Sequence, residues 1–251
     1  MVAGGLPHGA SDHAVAAPKW RARFGRAGGP LFLFGYLASA VLVFTLWQAA
    51  PLAALLAFLA LSAWHFAGED AVGSTAVERV ARGLMPVGLP ALLHPAGLRD
   101  LLAPMLAGSA ADARVAAAVM TVCGVVAIVA LAGWWWREGR VPAGAAASAA
   151  ALIVCPPLLG FALYFAFDHS RRAAGRRRAS LGLTPGDYAR ACAPFVVGGA
   201  AVLATAGWWL PGAGLAGWLV IGLAALTVPH MVLVPDGVAG RTRVIPGSRS
   251  G

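Results

Sequence analysis

From Ala27 to Gly68 the chain carries no Asp, Glu, Lys or Arg. A helix needs about 20 apolar residues to cross a bilayer core, so this run predicts two consecutive spans, turning at Gln48 to Pro51. Lipid offers no water to a backbone N–H or C=O, which leaves the helix as the way for such a run to satisfy itself. Residues 115–136 predict one further span. Residues 141–167 predict another, bent at Pro156-Pro157, because proline removes a helix hydrogen bond. Residues 191–235 predict two, broken at "WLPGAG".

One region fits no simple crossing. Residues 83–98, "GLMPVGLPALLHPAGL", are interrupted by Pro86, Pro90 and Pro95. With the residues up to 111 they predict a re-entrant or short-helix pair. Irregular backbone at that depth survives only where protein or a cavity covers it. The expected fold is all-α: a polytopic membrane helix bundle with six clear spans plus this proline-broken pair (83–111), in one transmembrane domain over residues 1–251. The chain is 12% charged, against about 25% for a soluble domain.

Charge then sets the topology. If 83–111 returns to the side it left, all of the 19 basic residues except Arg137 and Arg140 fall on one side. A single crossing there would divide them far more evenly. Basic loops stay in the cytoplasm, so both termini and the "RRAAGRRR" loop are expected there, in a multi-pass protein of the cell (inner) membrane. The net charge of +9 therefore reads as orientation and contact with anionic headgroups, with no nucleic-acid partner. Cys123, Cys155 and Cys192 lie in or beside apolar stretches without a CxxC pair, which excludes a disulfide framework or thiolate metal site.

On this topology every histidine falls on the cytoplasmic side. His65 closes the second span, His169 closes the fourth, and His230 lies just inside the end of the last. His94 sits in the proline-broken region, and His8 and His13 precede the first span. Ionisable residues at membrane depth are functional candidates, and imidazole is a common metal ligand. Asp12, Glu69, Asp70, Asp168 and Asp236 lie near these histidines in sequence. A ligand histidine typically donates its second N–H to such a group. Neutral imidazoles suit Zn, Cu, Fe or Ni, and the residues alone leave that choice open. Haem would need facing axial histidines, and no helix here carries two. The aromatic residues Trp64, Phe66, Tyr164 and Phe165 are candidates to line an apolar substrate tunnel.

"GLPHGASDH" (5–13), "WHFAGED" (64–70), "ALLHP" (91–95), "DHSRR" (168–172) and "TVPHMVLV" (227–234) together resemble the Brp/Blh family of integral-membrane β-carotene 15,15′-dioxygenases. The motifs stand in the family's order along the whole chain. The resemblance implies a non-haem Fe(2+) oxygenase that cleaves β-carotene with O2 at the central double bond, giving two retinals. Its partners would be β-carotene, O2, the lipid bilayer and a retinal-binding rhodopsin.

Carried over residue by residue, the family's ligands map onto His8, His65 and His169. A further ligand in an HSxxH pattern falls on Ala173, and His230 is the expected replacement. The expected metal set is thus His8, His65, His169 and His230, supported by Asp12, Asp70 and Asp168. In the family a first membrane helix precedes "GLPHGA", so such a helix is expected upstream of residue 1. The loss at Ala173 keeps open a non-catalytic relative that binds or delivers retinal or carotenoid. A transporter fits less well, because transporters hold substrate near the midplane.

Overall fold

A computed structural model describes residues 9–71, 75–209 and 214–234 of the chain. Its elements are all helical: α1 (Asp12–Phe24), α2 (Gly28–Ala49), α3 (Pro51–Asp70), α4 (Ala76–Gly88), α5 (Pro90–Leu93), α6 (Pro95–Leu102), α7 (Ala110–Glu138), α8 (Ala143–Val154), α9 (Pro157–Leu163), α10 (Arg171–Ser180), α11 (Pro185–Trp209) and α12 (Gly214–Leu233). Short 3₁₀ turns at Gly25–Ala27 and Ala103–Leu106 and a π-helical turn at Tyr164–Ser170 join some of them.

Local chemistry explains where the helices begin and end. Pro51 opens α3, where its missing N–H costs nothing and its φ suits a helix. Thr75 and Ser109 cap α4 and α7, their hydroxyls accepting the N–H of Glu78 and Asp112. α7 stops at Gly139, which takes a left-handed conformation at φ 68°, the usual glycine role past a helix end.

Among the described residues, four helical segments are long and apolar enough to cross a membrane: Asp12–Ala49, Pro51–Asp70, Ala110–Glu138 and Pro185–Thr205. Ala143–Val154 and Leu219–Leu233 are shorter apolar helices. The expected fourth crossing therefore falls below that length, while α12 as a whole runs for 20 residues. The fourth is cut at Cys155-Pro156, as the paired prolines require.

The proline-broken region folds as α4, α5, α6 and the following 3₁₀ turn, and it belongs to the interior. Met85, Leu89, Leu98 and Leu106 are buried, packed against α3, α7 and α12. α4 crosses α7 at Gly88 and Gly124, where a Cβ on Gly88 would fall on the Gly124 backbone. Small residues allow helices that close an approach. The Trp47 indole N–H donates to the Met105 carbonyl at 2.8 Å, pinning the end of α2 to the 3₁₀ turn. By contrast Phe34, Val41, Val129 and Phe167 are exposed, as suits a surface that meets lipid tails.

Candidate metal centre

Three helical segments meet at one place. His65, near the C-terminal end of α3, His169, in the π-helical turn, and His230, near the end of α12, are each at most 2% exposed. The His65 ring centroid lies 5.6 Å from that of His169 and 5.2 Å from that of His230. Glu69, one turn after His65, completes the group. Its Oε2 is 3.7 Å from His65 Nε2 and 3.5 Å from His169 Nε2. Ligand atoms of His65, Glu69 and His230 all lie within 4.8 Å of one another.

Two carboxylates set the tautomers. His169 Nδ1–H donates to Asp70 Oδ1 at 3.0 Å, and His230 Nδ1–H donates to the Asp12 oxygens at 2.8 Å. An ionised carboxylate only accepts, so each Nδ1 carries the proton and each Nε2 keeps its lone pair. The Tyr164 hydroxyl donates to the other Asp70 oxygen at 2.6 Å. The π-turn widens the helix locally, as such turns often do at functional sites, and it buries Tyr164, Phe165 and His169 together.

Asp168 serves elsewhere. Its Oδ2 accepts from Ser148 at 2.9 Å and Arg82 at 3.2 Å, and Arg172 lies 2.9 Å away. Arg82 in turn lies over the Trp134 ring. His13 donates from Nδ1 to Ala10 O and stacks on Phe195, while the His94 Nε2–H bonds the Val154 carbonyl. His8 and Asp236 lie outside the described residues.

Arg177 is the residue that sequence reasoning missed. Read as part of a headgroup-facing loop, it is 8% exposed and enters the cluster. It donates to Glu69 Oε1 at 2.8 Å, to Asp12 Oδ1 at 3.3 Å and to His230 Nε2 at 3.2 Å. Burial opposes its charge, but Glu69 and Asp12 outweigh that and hold its pKa above the ordinary value. Ala173, one turn earlier on α10, is buried. Glu69 had a legible signal in its HxxxE spacing from His65; Arg177 was hidden in a run of arginines.

Two apolar cavities flank the cluster. The first, about 170 Å³, is bounded by His65, His169, Phe66, Leu101 and Met120 among others. The second, about 380 Å³, is bounded by Asp12, His230, Leu37 and Gly198 among others. Phe165, Leu223 and Thr227 face both. Of the tunnel candidates, Phe66 and Phe165 line the first cavity, Tyr164 is buried on Asp70, and Trp64 turns outward at 62% exposed.

The sequence profile of the β-carotene 15,15′-dioxygenase family matches residues 1–235. The chain belongs to this family. A protein named Beta-carotene 15,15′-dioxygenase from uncultured marine bacterium 66A03 is 28% identical over 253 residues, which cover 92% of this chain and 88% of that protein. No solved structure matches the chain. In this member of the β-carotene 15,15′-dioxygenase family, the donors that converge are imidazole and carboxylate, a set that suits first-row divalent metals, Fe(II) among them. The arrangement fits a metal ion in kind and in number.

Proposed function

We propose that this chain cleaves β-carotene with O2 at its central double bond, giving two retinal molecules, at an Fe(II) ion held by His65, Glu69, His169 and His230. His8 is a further donor on the strength of its motif. The observation that carries the reading is the meeting of three buried histidines and Glu69 between two apolar cavities.

Bound there, Fe(II) would supply the open-shell chemistry that lets O2 react with a closed-shell alkene. The protein's share is binding, orientation and exclusion of water. Asp70 and Asp12 hold His169 and His230 with Nε2 presented inward. Phe66 and Phe165 line the first cavity, where a hydrocarbon is held without competing polar groups. Arg177 balances the charge of Glu69 and Asp12, and it hydrogen-bonds His230 Nε2, a nitrogen that would hold the metal. Overall, the C=C bond breaks and each of its carbons takes one atom of O2. The polyene supplies the electrons, so no further reductant is required.

The same reading places the chain in the cell membrane with both termini cytoplasmic. The substrate, a long hydrocarbon, reaches the site from the bilayer.

Ala173 favours one competing reading, a relative that binds or delivers retinal without turnover. Pigment extraction from β-carotene-producing bacteria expressing the chain separates the two, with iron measured on the purified protein. Retinal accumulating as carotene falls, with iron bound in proportion to protein, supports the enzyme. Unchanged carotene with the protein present in the membrane supports the carrier.

A further inference from the structure

The two cavities share one wall, and the histidine cluster borders both of them. His65 and His169 face the first cavity and His230 faces the second. The wall itself is built from side chains that face both spaces: Phe165 from the π-turn, and Leu223 and Thr227 one turn apart on α12. A symmetric hydrocarbon cut into two equal products must present its midpoint to the reacting centre and extend equally to either side. One cavity beside the histidines would hold only one half.

From this we infer that the two cavities are the two half-sites of a single substrate: the polyene passes the Phe165–Leu223–Thr227 wall at the cluster, with one ring-bearing half in each cavity. This rests on the carotenoid-cleaving reading above and adds what decides the bond that is cut. The position of cleavage follows from which double bond lies at the wall once each cavity holds one end of the chain. Both cavities reach the apolar surface: Leu33, Leu37 and Val202 on the second are 52%, 54% and 57% exposed, and Leu158 on the first is 44% exposed.

Filling one half-site tests this. Gly198 lines the second cavity, and a Cβ there meets nothing within 4 Å, so Gly198→Trp adds bulk without a backbone clash. Leu101→Trp does the same for the first cavity. Each variant is assayed as full-length protein in membranes, with β-carotene and with a truncated apocarotenal that has one ring and a shortened chain. Wild type is expected to cleave both substrates. Each Trp variant is expected to lose β-carotene cleavage by about a hundredfold, the scale at which misplacing a reacting group acts. Each keeps apocarotenal cleavage within about twofold, because the short end still fits. Unequal aldehydes from β-carotene in place of retinal would support the same conclusion.

Equal loss of both substrates in both variants, with protein and bound iron at wild-type levels, overturns the half-site assignment. So does unchanged β-carotene cleavage. A wild-type chain that cleaves neither substrate overturns the carotenoid reading itself, a different result from any of these.

Discussion

His230 and Asp12 stand 218 positions apart in the chain, yet His230 Nδ1 lies 2.8 Å from both Asp12 carboxylate oxygens. This contact joins the first described helix to the last and directs the imidazole. Asp12→Ala removes the acceptor that holds the Nδ1–H tautomer. Partners of this kind are worth about 10–100-fold in metal affinity. Iron retention on titration with a chelator should fall by that order, with no iron-independent change in helix content by circular dichroism.

Asp70→Ala should act the same way through His169, and Asp168→Ala should not. Asp168 bonds Arg82 and Ser148, so its loss leaves buried Arg82 with less compensation. Removing one partner of a buried ion pair costs about 3–5 kcal/mol. Asp168→Ala is therefore expected to lower the thermal midpoint in detergent while iron affinity stays at the wild-type value. A drop in iron affinity matching that of Asp70→Ala would bring Asp168 into the metal site.

Glu69 separates a four-donor site from a three-histidine one. Glu69→Gln preserves shape but removes the anionic oxygen that lies within 3.7 Å of two imidazole nitrogens. Iron stoichiometry after purification should fall well below that of wild type, as it should for His65→Ala. Full stoichiometry in Glu69→Gln would remove Glu69 from the ligand set.

Arg177 couples the metal to stability. Its guanidinium compensates Glu69 and Asp12 when no metal is bound. Arg177→Ala takes a shared partner from both buried carboxylates, at a cost of about 3–5 kcal/mol. A bound dication restores the balance, and binding to the native state alone stabilises it by mass action. The gap in melting temperature between iron-loaded and chelated protein should therefore widen in the variant. An unchanged gap would show that Arg177 and the metal do not share these carboxylates.

The α4–α7 crossing depends on two glycines. A Cβ on Gly124 would lie 2.6 Å from Gly88 O, so Gly124→Val must push the helices apart. Overpacking of this kind costs about 1–3 kcal/mol, readable as a lower melting temperature in detergent. Gly97→Ala, where an added Cβ meets nothing within 4 Å, is the control and should not melt earlier.

The sequence by itself determined the helical class, the long apolar runs and the break at Pro156, since each follows from local backbone chemistry and the absence of charge. It also placed His65 and His230 near helix ends, whereas His169, expected to close a span, lies inside a helical run that continues from Pro157 to Ser180. Only the tertiary structure decided which carboxylate holds which histidine, that Asp168 turns to Arg82, and that Arg177 enters the cluster. The reason is physical. α2 and α7 are apolar almost all round, so no hydrophobic stripe tells which face turns inward. Side-chain partners then depend on how each helix is rotated against its neighbours. That rotation is set by close contacts such as Gly88 on Gly124, made between residues far apart in the chain.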